Sequence, residues 1–192
     1  MYKAIIFDFF DVIAPDFYRV WLENNGYERK GRFLALAKDI DNGRISLEEY
    51  YNQLGVLGNQ PAGGLRNEWE NFNVLNQDML QLIEILRKRY KVSLLTNSPA
   101  DLVRRILRRN KLEHYFDSIV ISGEVHLVKP NEDIYNITLD KLSVSAKETI
   151  FVDDKEEYVK AAERLGITGI RFVNAKKLVG DFYKLGITAD LQ

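Results

Sequence analysis

Asp8, Thr96 and the adjacent pair Asp153 and Asp154 each stand where a short apolar run ends, and Lys129 sits immediately before Pro130. A carboxylate at the end of a strand can act as a nucleophile when a cation neutralises both it and its target. Asp8 is the candidate nucleophile and a candidate metal ligand. Asp153 and Asp154 offer the further oxygens of a Mg²⁺ site, since that ion takes one or two carboxylates together with water and phosphate oxygens. Thr96 and its neighbour Asn97 bring a hydroxyl and backbone N–H groups to a strand-to-helix turn, a favourable place for a phosphate. Lys129 precedes a proline suited to the first turn of a helix, and its charge offsets both Asp8 and a bound phosphate. Phosphoryl transfer asks for positioning and charge stabilisation above all, and these residues supply both. Each has a plainer use on its own, as a cap or a solvated surface group. Their order, and their shared place at strand ends, point to one site.

The elements that must position them follow from hydrophobic periodicity. Apolar runs at Ala4–Phe7, Lys91–Thr96, Ser118–Ile121, Thr149–Asp153 and Gly169–Val173 read as buried strands. Helical spacing separates the later ones, with Leu80, Ile83 and Leu86, then Val103, Ile106 and Leu107, then Ile134, Ile137, Leu139 and Leu142. This alternation predicts an α/β fold, a doubly wound parallel sheet with its site beyond the carboxyl ends of the strands. Residues 15–75 break the alternation. They carry helix candidates at Phe17–Leu22, Phe33–Ile40 and Leu47–Leu54, the last capped by Ser46, with a turn at Asn42–Gly43. Gly55, Gly58, Pro61, Gly63 and Gly64 predict a looser stretch before Trp69 and Phe72. The expected division is a core of 1–14 and 76–192 and a small helical insert of 15–75 over the strand ends.

Composition narrows the chemistry. The 192 residues carry a net charge of −1 and 46% apolar residues, an ordinary globular balance that calls for no nucleic-acid or membrane partner. There is no cysteine, so disulfides, thiolate nucleophiles and zinc–cysteine sites are excluded. Two histidines without a serine triad pattern argue against serine hydrolase chemistry. No apolar run approaches membrane-spanning length. With the cysteine-free composition and an N-terminal apolar run too short for a signal peptide, the expected location is the cytoplasm. Oligomeric state, monomer or homodimer, stays open.

The chain resembles the haloacid dehalogenase (HAD) superfamily across essentially its whole length. Phe7-Asp8-Phe9-Phe10-Asp11-Val12-Ile13 is similar to the first motif, Leu94-Leu95-Thr96-Asn97-Ser98 to the second, Ser122 through Pro130 followed by Ile134-Tyr135 to the third, and Phe151-Val152-Asp153-Asp154 to the fourth. Asn42-Gly43-Arg44-Ile45-Ser46 and the residues after it resemble the family's small helical cap. The resemblance implies a Rossmann-like core with a cap inserted after the first strand. It implies attack of Asp8 on phosphorus and later release of phosphate by water. It also implies Mg²⁺ held by Asp8, Asp154 and the main-chain carbonyl of Phe10, with Asp153 assisting. The expected function is a Mg²⁺-dependent phosphatase of a small phosphorylated metabolite, with Asp8, Lys129 and Thr96 catalytic and Thr96, Asn97 and Lys129 holding phosphate.

Two positions depart from the pattern. Phosphatases of the family carry a second aspartate two residues after the nucleophile, which protonates the leaving group, and here that position is Phe10. Side chains two apart on an extended segment point the same way, so Asp11 is a poor substitute. After the fourth motif, relatives often carry an asparagine where this chain has Tyr158. These departures define a competing expectation, a weak or inactive relative that binds a phosphorylated ligand or a protein partner. An aromatic at the position of Phe10 is also similar to the L-2-haloacid dehalogenases, but these lack the Asp153–Asp154 pair. The arginines of 87–109 read as polar helix faces. Trp21, Tyr50, Tyr51, Trp69 and Phe72 read as the core of the insert, and His114 as structural.

Overall fold

Ala4, Ile5, Ile6 and Phe7 have no exposed surface, as a strand covered on both faces requires. They form β1 (Ala4–Phe7), the centre of a five-stranded sheet with β2 (Lys91–Thr96), β3 (Ser118–Ile121), β4 (Thr149–Asp153) and β5 (Thr168–Arg171). The strand order is β3-β2-β1-β4-β5 and every pairing is parallel. This computed structural model describes residues 1–71 and 74–187, so Phe72 lies outside the described residues. Four strands have the bounds that the apolar runs predict. β5 begins and ends earlier than expected, because β4 stops at Asp153 and the register pairs that residue with Arg171.

The period of two sorts β1 between two cores. Ile5 and Phe7 face one side with Val92, Leu94, Ile150 and Val152, while Ala4 and Ile6 face the other with Leu95, Val120 and Phe151. The first side is covered by α5 (Gln77–Leu86), α6 (Ala100–Arg109) and α10 (Ala175–Lys184), through residues such as Ile83, Val103 and Phe182. The second is covered by α8 (Glu132–Leu142) and α9 (Glu156–Arg164), through Ile134, Tyr135, Leu139, Ala161 and Ala162. Helices on both faces of an all-parallel sheet make the doubly wound α/β architecture that the alternation predicts.

Between β1 and α5 come α1 (Phe17–Asn24), α2 (Gly31–Asp41), α3 (Leu47–Gly58) and α4 (Ala62–Asn71). Ser46 caps α3 as expected, accepting the Glu49 N–H at 3.1 Å. The looser stretch predicted around the glycines is instead helical, with α3 running through Gly55 to Gly58 and α4 containing Gly63 and Gly64. Close packing explains the first two. A Cβ on Gly58 would stand 2.6 Å from the Trp21 ring, and one on Gly55 2.7 Å from the carbonyl oxygen of Gln60. These glycines let α3 approach its neighbours rather than break it. Pro130 also differs from expectation. It precedes α8 instead of entering its first turn, because Asn131 caps that helix by accepting the Asp133 N–H at 2.9 Å. The Lys129–Pro130 peptide is cis. A four-residue helical turn, α7 (Ser122–Val125), follows β3 directly.

The two kinds of glycine separate by experiment. Gly64→Ala has open space around its Cβ and should stabilise the fold by roughly 0.5–1 kcal/mol through helix propensity. Gly58→Ala should destabilise it by about 1–2 kcal/mol, because overpacking against the Trp21 ring exceeds the same propensity gain. Urea denaturation of both variants checks the opposite signs.

Candidate active site

The sheet register assembles the site. Phe7 pairs with Leu94 on one side and Val152 on the other, so Asp8 and Asp153 leave neighbouring strands side by side. The Asp8 N–H donates to the Val152 carbonyl at 2.9 Å and carries that alignment one residue further. Thr96 ends β2 on the other flank.

Lys129 arrives from the loop between α7 and α8 and is buried among these groups. Its ammonium donates to Asp153 Oδ2 at 2.6 Å and to the Leu95 carbonyl at 3.0 Å, and lies 2.9 Å from Asp8 Oδ1. The Lys129 and Asp153 side chains are 0% exposed and Asp8 7%. Burial alone would lower the lysine pKa, but Asp153 and Asp8 outweigh it and hold the ammonium above its ordinary value. The rings of Tyr158 and Phe151 flank the cation at 5.1 and 5.4 Å from their centroids. Asn97 fixes the lysine backbone. Its Oδ1 accepts the Lys129 N–H at 2.8 Å and its Nδ2 donates to the Lys129 carbonyl at 2.9 Å. The Asn97 side-chain amide is thus engaged in holding Lys129, and the backbone N–H groups expected to meet a phosphate are separate from it. Among the described residues the buried Thr96 hydroxyl has no hydrogen-bond partner.

Burial pushes Asp8 up to about 7, with Lys129 opposing and Asp153 adding to the rise. Asp8 Oδ1 meets the Lys129 ammonium as a buried ion pair at 2.9 Å. Asp154 is pushed up to about 6, by burial first and by Asp153 and Asp11 against the pull of Lys155. Among the described residues the buried Oδ1 of Asp154 has no hydrogen-bond partner. Asp153 Oδ1 accepts the Lys155 N–H at 2.8 Å, so this residue caps the turn before α9 as well as binding Lys129. One oxygen each from Asp8, Asp153 and Asp154 lies within 4.8 Å of the other two. Oxygens around one Mg²⁺ stand roughly 3–4 Å apart, given bonds of about 2.1 Å. The unpartnered Oδ1 of Asp154 and this three-carboxylate spacing fit a divalent cation after a small inward movement. The main chain adds another acceptor. In the loop after β1 the Ile13 and Ala14 N–H groups donate to Phe9 and the Asp11 N–H to Ala14, leaving the Phe10 carbonyl outside those bonds.

The Phe10 ring packs edge-on against Phe9 and Phe17, at 5.0 and 5.6 Å, and lines the same cavity as Asp8. Asp11 takes a left-handed backbone, φ 58°, and turns its carboxylate to Arg19. Arg19 Nη2 and Nε donate to its two oxygens at 2.8 and 3.0 Å, and the Asp16 N–H at 3.1 Å. Burial would raise the Asp11 pKa, but these donors hold it below the usual range. Asp11 stays ionised and bound to Arg19; the left-handed bend, rather than the extended spacing assumed from sequence, sets its direction.

The cavity over Asp8 measures about 60 Å³, enough for several waters or a small group. Its far wall comes from the inserted helices and includes Asp16, Arg29, Asp41, Tyr50 and Trp69. Trp21, Tyr50, Tyr51 and Trp69 are all buried, as a core reading predicts, but Tyr50 and Trp69 also face the cavity. Asp16, Arg29, Asp41 and Lys155 escape the sequence reading. Lys155 could have been found from its place beside the aspartate pair, and Asp41 from the turn that follows it. Nothing in the spacing marks Arg29. His114 packs on Tyr115 at the surface, and Arg104 pairs with Glu124 through two hydrogen bonds.

Two substitutions test the electrostatics. The fold raises the Asp8 pKa to about 7, so the stability Asp8 contributes is full in acid and lost as pH rises through that value. Asp8→Asn should therefore raise the thermal midpoint at about pH 8 in buffer free of divalent cations. The gain should shrink as pH falls toward 5, as read by calorimetry. Lys129→Met should have the opposite effect, a loss of about 3–5 kcal/mol in chemical denaturation, because it strands buried carboxylates.

Comparison with known proteins agrees with this geometry. The family model for haloacid dehalogenase-like hydrolases matches residues 44–172. The D-ribitol-5-phosphate phosphatase of Bacteroides thetaiotaomicron is 26% identical over 188 residues, covering 86% of this chain and 89% of that protein. A HAD family enzyme from the same organism, solved as an aspartate-to-alanine variant with magnesium and inorganic phosphate, superposes with a TM-score of 0.71 at 25% identity, covering 89% of this chain and 94% of that one. The L-2-haloacid dehalogenase of Xanthobacter autotrophicus, at 20% identity and a TM-score of 0.65, spans 100% of this chain and 86% of its own and shares the fold. The parallel sheet, the clustered strand-end residues and the matching family model together show that this chain belongs to the haloacid dehalogenase-like hydrolases.

Proposed function

We propose that the chain is a Mg²⁺-dependent phosphatase that hydrolyses a small phosphorylated metabolite through an aspartyl-phosphate on Asp8. One observation carries this reading. A buried lysine joins the strand-end carboxylates Asp8 and Asp153, beside an unpartnered threonine hydroxyl and an unpartnered oxygen of Asp154. Asp8, Asp153, Asp154 and the Phe10 carbonyl would hold the metal. When bound, the cation supplies positive charge that lets the carboxylates and a phosphate dianion share one site.

The chain's own residues do the rest. An Asp8 oxygen attacks phosphorus, and the Lys129 ammonium favours its ionised form and neutralises charge on the phosphoryl oxygens. The Thr96 hydroxyl, free of other partners, donates to one of those oxygens. Asn97 acts through Lys129, whose backbone it clamps. Residues 15–75 act as a cap on the core formed by 1–14 and 76–192, and their Tyr50 and Trp69 rings line the cavity beside Asp16, Arg29 and Asp41. The relative that acts on D-ribitol-5-phosphate supports a phosphorylated polyol or a similar small ester as substrate. The three-carboxylate cluster favours a phosphatase over a dehalogenase.

Purified protein with Mg²⁺, assayed against a panel of phosphate esters and acyl phosphates, should release phosphate. Asp8→Asn and a chelator should each abolish that release. No phosphate release above the Asp8→Asn background would leave only the competing reading, a binding protein without turnover.

A further inference from the structure

The phosphatase reading leaves one part unsupplied. A proton must reach the departing alkoxide, and Phe10 carries none. Asp11 cannot give it, being ionised and bound to Arg19. The same cavity that Asp8 lines holds two further carboxyls from the inserted segment, Asp16 and Asp41. Asp16 caps α1, accepting the Arg19 N–H at 3.1 Å, and its other oxygen takes Arg29 Nη1 at 3.3 Å. Asp41 ends α2. Among the described residues no donor hydrogen-bonds its carboxyl, and Arg29 Nη2 stands off at 3.8 Å. Burial, opposed by Arg29 and assisted by Asp16, pushes Asp41 up to about 6. The phenols of Tyr18 and Tyr50, on the same wall, are raised by burial and hold their protons more tightly still.

Asp41 is also docked on the core. Ser122 Oγ accepts the Ser98 N–H at 2.9 Å and donates to the Asp41 carbonyl at 2.5 Å. This chain of bonds links the loop after Thr96 to the end of α2. His126 Nδ1 lies 3.1 Å from the Asn42 carbonyl. A Cβ on Gly43 would come within 2.8 Å of the Gly123 carbonyl, so the contact is tight. The strand ends themselves fix where Asp41 stands.

We propose that Asp41 is the proton donor and acceptor of this site, a catalytic residue supplied by the inserted helices where Phe10 supplies none. The proposal rests on the phosphatase reading. As an Asp8 oxygen bonds to phosphorus, the bond from phosphorus to the alcohol oxygen breaks, and the Asp41 carboxyl gives that oxygen its proton. The alcohol leaves and Asp41 is a carboxylate. Water then bonds to phosphorus through its oxygen and passes one proton to Asp41, while the bond from phosphorus to Asp8 breaks. Phosphate departs, with Asp8 a carboxylate and Asp41 protonated as at the start.

The test compares the wild type with Asp41→Asn in rapid mixing with Mg²⁺ and two substrates. Glycerol phosphate has a leaving group that needs a proton, and p-nitrophenyl phosphate has one that departs as a stable anion. Asp41→Asn should slow the first turnover of glycerol phosphate by about 10²–10⁴-fold. Its burst of p-nitrophenolate should stay near the wild-type rate, followed by slow turnover as water goes unactivated. Equal slowing of both first turnovers marks a structural role and overturns the proposal while leaving the phosphatase reading intact. An unchanged rate on glycerol phosphate overturns it as well. So does a Phe10→Asp variant that gains about a hundredfold on that ester, since the wild type would then lack a donor. A wild type no better than Asp8→Asn on either substrate fails the phosphatase reading itself, and the proposal with it.

Discussion

A lysine ammonium without exposed surface is tolerable only beside carboxylates, and Lys129 has two. Much of the structure follows from that requirement. Asp8 and Asp153 must leave adjacent parallel strands in register, which places β1 and β4 side by side. The lysine backbone must be held from a third strand, which Asn97 does from the end of β2. The rings of Phe151 and Tyr158 complete the enclosure. Buried ion pairs of this kind rarely stabilise a fold more than an apolar packing of equal volume. The arrangement is better explained by the charge it presents at one point than by stability.

The same charge accounting explains the division of work between sheet and insert. The strand ends already carry Asp8, Asp153 and Asp154 against Lys129 and Lys155. A further carboxylate at position 10 would add repulsion to that set. With Phe10 there instead, the ring joins the apolar contact to Phe9 and Phe17. On the proposal made above, the proton-carrying group then stands across the cavity on α2, held by Ser122.

Sequence and structure agree most where a single physical signal dominates. Continuous apolar runs ending in Asp8, Thr96 and Asp153 gave away the strands, because only a strand covered on both faces tolerates such a run. The cluster of these residues with Lys129 was legible for the same reason. Glycine misled the reading of α3 and α4, since Gly55 and Gly58 look like breakers until the Trp21 ring and the Gln60 carbonyl are seen against them. Asn97 was legible as a site residue, but the clamp of its side chain on Lys129 depends on a loop 32 residues away. Tyr158 read only as a departure from a pattern, whereas its ring lies against two ammonium groups. Arg29 was hidden because the insert meets the strand ends through tertiary contacts that no local period encodes, and Asp41 was marked only by the turn after it.

The position of β1 at the centre of the sheet bears on how the chain folds. Its neighbours begin at Lys91 and Thr149, so both edges of the first strand made wait for partners far along the chain. Pairings this distant close slowly, and an unpaired apolar strand is prone to aggregate while it waits. A nascent chain that ends before β4 holds Asp8 but has only half of the lysine's counter-charge. Synthesis must therefore run to about the last fifth of the sequence before Lys129 can be buried against both of its carboxylates.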